Sequence, residues 1–163
     1  MKAEKGTYEE LVDRYYQAVY WYIRRIVADH DNAQDILQET FIKAYRHFWQ
    51  LRSTQSARPW LYRIATNEIN RWFRKHAHGT EDLTESLAAS LEDSPYVDYA
   101  RVEAVALQRG LMQLSPLQRK VFTLKYFDDL DYEEIAFITG SSIGSLKVSY
   151  HQAKKIISQY VQD

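Results

Sequence analysis

Between Trp60 and Lys75 the chain interleaves three kinds of side chain. Arginines and amides (Arg63, Asn67, Asn70, Arg71 and Arg74) alternate with the aromatics Tyr62, Trp72 and Phe73. At helical spacing the arginines and amides share much of one face. Their chemistry is non-covalent recognition. Guanidinium groups track phosphates, and amides read the edges of unstacked bases. A base stacked on an aromatic ring gains ~1–3 kcal/mol. Tyr62 and Trp72 are expected on the core side of this helix instead. Arg58, just upstream, extends the basic stretch.

The formal net charge of -1 conceals this patch. Residues 58–76 carry Arg58, Arg63, Arg71, Arg74 and Lys75 against Glu68. Residues 77–103 carry Glu81, Asp82, Glu85, Glu92, Asp93, Asp98 and Glu103 against Arg101. An acidic segment therefore offsets a basic one in the total.

A second recognition element lies in Asp131 to Lys155, DYEEIAFITGSSIGSLKVSYHQAKK. Asp131 caps a short helix and Glu134 completes a capping box. Ile135, Ala136 and Ile138 give it an apolar side, and Gly140 supplies the left-handed position that ends it. Ser141 or Ser142 caps the next helix, whose apolar positions are Leu146, Tyr150, Ala153 and Ile157. A short helix, a Gly turn and a longer helix match the helix-turn-helix, whose second helix enters the DNA major groove. The same pattern also suits a plain helical hairpin in a bundle.

Enzyme chemistry finds little footing. His76 and His78 make an HxH pair without a third clear ligand. No Gly-rich phosphate loop or nucleophile–base arrangement is visible. Asp128, Asp129 and Asp131 resemble a metal loop only superficially, because capping accounts for Asp131. No metal or other cofactor is expected.

Positioning these residues requires helices. Thr7 with Glu10 is a capping box for a helix over 8–28, with Leu11, Tyr15, Val19, Tyr22, Ile23 and Ile26 as its apolar stripe. Asp31 with Gln34 is expected to cap a second helix to about Trp49. Its buried candidates are Ile36, Leu37, Phe41, Ala44, Tyr45 and Phe48. The third runs to about Lys75, with Pro59 in its first turn and Leu61, Ile64, Ala65 and Ile69 inward. His76 to about Pro95 is acidic and rich in Ser, Thr and Ala, which reads as a linker. A helix from near Tyr96 to about Gln113 follows. Ser115-Pro116-Leu117-Gln118 then opens another to about Phe127.

The expected fold is all-α. A three-to-four-helix domain at 1–77 and a helix-turn-helix domain at 96–163 are joined by an acidic linker at 78–95. The chain has 163 residues, no cysteine, five glycines and three prolines, which favours helix and excludes disulfides. MKAEKGTYEE lacks the apolar core of a signal peptide, and no run approaches a membrane span. A cytoplasmic protein without direct membrane insertion is expected.

Three segments in this order resemble an extracytoplasmic-function (ECF) RNA polymerase sigma factor. Asp35-Ile-Leu-Gln-Glu-Thr-Phe-Ile-Lys-Ala-Tyr is similar to the family's polymerase-docking helix in region 2. Trp60-Leu-Tyr-Arg-Ile-Ala-Thr-Asn67 is similar to its −10-reading helix. Leu114-Ser-Pro-Leu-Gln-Arg through Tyr132-Glu-Glu-Ile-Ala to Ala153 is similar to region 4, which reads the −35 element. The match spans nearly the whole chain apart from the linker.

The resemblance assigns roles. Gln34, Asp35, Gln38 and Glu39 would dock on the clamp helices of polymerase's largest catalytic subunit, supplying mainly on-rate and register. Arg58, Arg63, Asn67, Asn70, Arg71 and Arg74 would hold the −10 strand, with Asn67 and the loop Ser53 to Arg58 around a flipped base. That loop departs from the family: Ala57 stands where a large residue is common, and Pro59 replaces a common Thr. Ser145, Lys147, Val148, Ser149 and Gln152 would face −35 DNA, with Lys154 and Lys155 at phosphates. Ser149 and Gln152 stand where Arg is common, which implies either a weaker phosphate contribution, with binding dependent on the polymerase tether, or an altered −35 specificity. The acidic linker would thread toward the RNA-exit path. The implied function is a non-enzymatic specificity subunit that binds core RNA polymerase, recognises promoter DNA and assists melting, restrained by an anti-sigma factor. A stand-alone helix-turn-helix regulator would need neither the docking face nor the basic third helix.

Overall fold

The structure is a computed structural model that describes residues 6–76 and 99–161. The expected linker at 78–95 and His78 lie outside the described residues. Every regular element among the described residues is helical.

α1 spans Tyr8–Val27, α2 His30–Arg46 and α3 Ala57–Lys75. The Thr7–Glu10 capping box starts α1: Thr7 Oγ1 accepts from the Glu10 N–H at 3.1 Å, and Glu10 Oε2 accepts from the Thr7 N–H at 3.3 Å. α1 ends in a left-handed residue, Ala28, with φ 63°. That tight corner delivers Asp29, not Asp31, to the N-cap of α2, where its carboxylate accepts from the Asn32 N–H at 2.9 Å. α2 also stops earlier than expected. After Arg46 the chain tightens into a 3₁₀ turn at Phe48–Gln50, so Tyr45 is 66% exposed rather than buried. A second 3₁₀ turn at Thr54–Ser56, capped by Ser53, leads into α3.

These helices pack because their apolar stripes coincide. Val19, Tyr22, Ile23, Ile26, Leu37, Ala44, Leu61, Tyr62, Ala65 and Ile69 are buried together. Tyr22 Oη lies 2.7 Å from Thr66 Oγ1, whose own hydroxyl donates to the Tyr62 carbonyl at 2.7 Å. These two buried hydroxyls thus find partners within the core.

The C-terminal unit contains α4 (Tyr99–Met112), α5 (Pro116–Phe122), α6 (Tyr132–Thr139) and α7 (Ile143–Ser158). The expected capping box is formed at Ser115–Gln118 and again at Asp131–Glu134. α5 does not continue as an ordinary helix to Phe127; Thr123–Phe127 widens into a π turn. Gly140, φ 76°, makes the left-handed stop before α7, and Ser142 is the residue that caps it. Gly110 lets α4 pass close to α7: a Cβ there would sit 3.0 Å from Ile157 Cδ1 and 3.3 Å from Tyr160 Cβ.

The two units share a core. Val121, Leu124, Leu130, Ile135, Ile138 and Leu146 are buried in continuity with the α1–α3 residues. α3 therefore lies between α2 on one side and α6 on the other. Each fully buried aliphatic side chain of this kind contributes roughly 1.5–3 kcal/mol.

Candidate nucleic-acid interface

α3 presents three of its candidate residues as one stripe. Arg63, Asn67 and Arg74, spaced by four and seven, are exposed on it. Arg71 is also exposed, but it turns toward α2, where it shares a cleft of about 380 Å³ with Asp35, Glu39 and Lys75. Tyr62 and Trp72 point the other way and are buried, as the sequence implied. Phe73 is half-buried, edge-on to Trp72 at 5.1 Å. His76 stacks on Trp72 at 4.8 Å, and its Nδ1 lies 3.0 Å from the Trp72 carbonyl.

Not all of the predicted residues are open. Arg58 is half-buried, and its guanidinium donates to the Asp128 main-chain carbonyl. Asn70 Oδ1 accepts from Lys120 Nζ. The Arg63 guanidinium sits over the Phe137 ring, 4.7 Å from its centroid. Each of these partners belongs to the C-terminal unit.

The acidic face of α2 forms as spaced. Asp35, Gln38 and Glu39 are exposed and Gln34 is half-buried. On the same side of α2, one turn beyond Glu39, the Lys43–Glu68 ion pair anchors the helix to α3; its carboxylate is 8% exposed. This pair fixes α2 relative to α3. Ile42 and Tyr45 add exposed apolar surface along the line continued from Asp35 and Gln38.

On α7, Ser145, Lys147, Val148, Gln152, Lys154 and Lys155 are exposed, and Ser149 is half-buried. Ser145, Val148, Ser149 and Gln152 fall on one face by their spacing of three, one and three. The Gln152 side chain accepts from Gln118 Nε2 at 3.1 Å, which steadies it against α5. Lys154 lies over the Tyr150 ring at 4.8 Å, and Lys147 over Tyr132 at 5.7 Å. Leu146, Ala153 and Ile157 are buried on the opposite face, as expected.

Asp128 is the residue that sequence reasoning undervalued. It sits at the end of the π turn, with Tyr62 Oη donating to its Oδ1 at 2.9 Å. Its Oδ2 is buried without a partner. Burial pushes its carboxyl above the usual range, against the opposing pull of the Tyr62 hydroxyl and of Arg58 and Arg25. The Tyr22 and Tyr62 phenols are pushed well up, chiefly by burial and further by the Asp128 charge. Arg25, half-buried, stacks its guanidinium 3.8 Å above Phe127. Local sequence signalled only that aspartates cluster at 128–131; what separates Asp128 from Asp131 is tertiary. Asp131 caps α6, as predicted, accepting from the Glu134 N–H at 2.8 Å. Among the described residues no group of His, Cys, Asp and Glu is arranged to hold a metal ion. No helix among them is long and apolar enough to cross a membrane.

Comparison with known proteins identifies the family. Residues 11–79 match the Sigma-70 region 2 family, and residues 104–157 match the Sigma-70, region 4 family. The chain is 31% identical over 154 residues to the RNA polymerase sigma factor YlaC of Bacillus subtilis (strain 168), covering 92% of this chain and 89% of that protein. It is 29% identical over 174 residues to the ECF RNA polymerase sigma factor SigW of the same organism, covering 99% and 92%. Among solved structures, the fold is similar to that of the sigma factor RpoE in complex with the anti-sigma factor NepR from Bartonella quintana. That TM-score is 0.74 at 22% identity, covering 93% of this chain and 94% of the other. CnrH in complex with the cytosolic domain of CnrY has a TM-score of 0.68 at 20% identity, covering 93% and 85%.

Proposed function

We propose how this chain, which belongs to the ECF group of sigma-70 factors and is therefore a non-enzymatic subunit directing RNA polymerase to promoters, divides that task among its helices. The α2 face of Gln34, Asp35, Gln38 and Glu39 docks on core polymerase. Arg58, Arg63, Asn67, Asn70, Arg71 and Arg74 hold the −10 strand, and capture of unstacked bases keeps it open. Ser145, Lys147, Val148, Ser149 and Gln152 read the −35 duplex, while Lys154 and Lys155 meet phosphates. Residues 1–77 act as region 2, residues 96–163 as region 4, and residues 78–95 as the acidic connection.

The observation that carries this division is the pairing of two exposed faces on adjacent helices. The acidic face of α2 stands beside the Arg63–Asn67–Arg74 stripe of α3, with Lys43–Glu68 fixing one helix to the other. An acidic face suits a basic protein surface, and a basic stripe with amides suits a single strand. A regulator that bound duplex DNA alone would use only α7, which carries few basic residues for that task.

The protein works in the cytoplasm, where it meets core polymerase. The solved neighbours were captured with anti-sigma proteins. An anti-sigma partner covering the same faces is part of this proposal.

Reconstitution with bacterial core polymerase tests the reading. Promoter-specific run-off transcripts are expected, and substitution of Asn67 should remove them while α2-mediated binding persists. Specific duplex binding without polymerase, combined with no transcription in its presence, would instead identify a stand-alone regulator.

A further inference from the structure

Trp49 is the most exposed large apolar side chain among the described residues, at 73%. It sits in the middle of the 3₁₀ turn Phe48–Gln50, and that turn is firmly held. The Gln50 N–H donates to the His47 carbonyl at 2.9 Å, and the Leu51 N–H to the Phe48 carbonyl at 3.1 Å. Phe48 is half-buried, edge-on to Tyr8 at 5.8 Å, and Leu51 is buried. The backbone is thus anchored on both sides of an indole that faces water. An ordered, exposed indole is a large contact surface that loses little conformational freedom on binding.

The surroundings of this ring suit a polyanion. From Thr40 to Asn67 the chain has no aspartate or glutamate and carries Lys43, Arg46, Arg52, Arg58 and Arg63. Arg46 and Arg52, three residues to either side of Trp49, are both exposed. An aromatic ring between cations is the composition of single-strand sites, where cations follow phosphate and the ring takes a base. The turn also leads directly into the proposed base loop. Gln50, Leu51 and Arg52 line a cleft of about 590 Å³ together with Gln55, Ser56 and Trp60. Glu133 and Glu134 of α6 stand on the cleft as well, so the side compatible with an anion is the one continuous with Trp49.

The base loop has no stacking ring of its own. Ser53, Thr54, Gln55, Ser56, Ala57 and Arg58 include no aromatic side chain. Hydroxyls and an amide can bond a base edge, but stacking needs a flat apolar face. Of the two tryptophans that bracket the loop, Trp60 is half-buried and packed against the core. Trp49 is the one that presents its ring to solvent.

We propose that Trp49 is a stacking platform for an unpaired base next to the one held by the Ser53–Arg58 loop, with Arg46 and Arg52 on the flanking phosphates. This inference rests on the assignment of α3 and that loop to the −10 strand. Every base has a flat face, so the stack adds hold without sequence preference. Base choice stays with the polar groups of the loop and of α3. The contact forms only with a base that has left the duplex, so it shifts the equilibrium toward the melted strand.

The test uses holoenzyme assembled from the full chain and bacterial core polymerase, with the signal of core polymerase alone subtracted. The probes are a fluorescein-labelled single-stranded oligonucleotide of random sequence and an equally long strand of abasic sites. Trp49→Ala should weaken binding of the base-bearing strand about tenfold, a change of about 1.4 kcal/mol, and leave abasic binding unchanged. Trp49→Phe should restore most of the loss. Arg46→Ala and Arg52→Ala should weaken both probes, each lowering the salt slope by ~0.7. Core-polymerase affinity and circular dichroism of Trp49→Ala should match those of the unsubstituted protein.

Equal loss on both probes, or no loss on either, would overturn the stack. Loss of core-polymerase affinity in a folded Trp49→Ala would overturn it too and assign the ring to a protein surface. Failure of the −10 assignment is read separately with Asn67→Ala. Unchanged strand binding in that variant removes the assignment, whereas a loss there beside intact binding by Trp49→Ala removes only the stack.

Discussion

The Arg119 guanidinium on α5 donates from Nη1 to the carbonyl of Ile26 on α1 at 3.0 Å. The same side chain donates from Nε to the Leu114 carbonyl and from Nη2 to the Met112 carbonyl, both at 3.2 Å. One buried cation thus satisfies three main-chain acceptors and joins the two units. Burial depresses its pKa to about 10, so it remains charged at neutral pH. Arg119→Ala should lower stability by about 1–3 kcal/mol through the acceptors it leaves unpaired. Arg119→Lys should restore less than half, since a single ammonium cannot reproduce the planar fork. Urea denaturation of the three proteins checks this, and full recovery by Lys would refute the role assigned to the fork.

The acidic face of α2 gives a second prediction. Asp35 and Glu39 are exposed, so Asp35→Arg with Glu39→Arg should leave thermal stability within about 0.5 kcal/mol per site. Core-polymerase binding should nevertheless fall by tenfold or more, mostly in association rate at low salt. Surface-immobilised core polymerase and circular dichroism provide the two readouts. Retained binding would remove α2 from the docking surface.

What the sequence disclosed follows the range of the forces involved. Thr7–Glu10, Ser115–Gln118 and Asp131–Glu134 are capping boxes closed within four residues, and each formed as spaced. The burial of Tyr62 and Trp72 also followed from helical period. Asp29 displaced Asp31 as a cap because Ala28 adopts a left-handed corner, a conformation that composition assigns to Gly or Asn rather than Ala. Tyr45 reads as core by period, yet α2 has already reached the edge of the bundle there.

The exposure of the candidate residues was legible in part, and their contacts were not. Spacing alone placed Arg63, Asn67 and Arg74 on one stripe. Nothing local indicated that Arg58 and Asn70 would be engaged by Asp128 and Lys120, which lie 70 and 50 residues away. Charged side chains such as Arg119 and Lys120 are ordinarily assigned to solvent, and both are buried here. Their burial depends on how two units meet, which periodicity within either unit does not encode.

The contact between α3 and the turn at Asp128 should respond to pH, comparing a closed form in which they touch with an open form in which they are apart. Facing Asp128 are Tyr62 and Arg58 on α3 and Tyr22 and Arg25 on α1. Burial raises its pKa in the closed form above the ordinary 3.8. The closed form therefore holds the proton more tightly than an open form in which Asp128 meets water. Its contribution to closure is fully present below the ordinary value and is lost as pH rises through the raised one. Stability against urea should carry a component that falls over that window as pH increases. Asp128→Asn, which does not titrate, should flatten this component, and an unchanged profile in that variant would assign the response to other groups.

The proposed role of α7 yields a prediction of opposite sign from the losses above. Gln152 is exposed on the same face as Ser145, Val148 and Ser149, and its Oε1 is held by Gln118 Nε2 at 3.1 Å. An amide there can pair with a base edge but neutralises no phosphate. Gln152→Arg should add about one phosphate contact. Holoenzyme affinity for a −35 duplex should rise, and the slope of log K against log salt should steepen by ~0.9. Because phosphate contacts carry no direct sequence information, the gain should extend to mismatched duplexes and reduce discrimination among them. Gln118 keeps its own Oε1 bond to the Ser115 N–H, so the start of α5 should survive the change. A salt titration of matched and mismatched duplexes reads all three effects at once. An unaltered slope would mean that Gln152 does not approach the backbone.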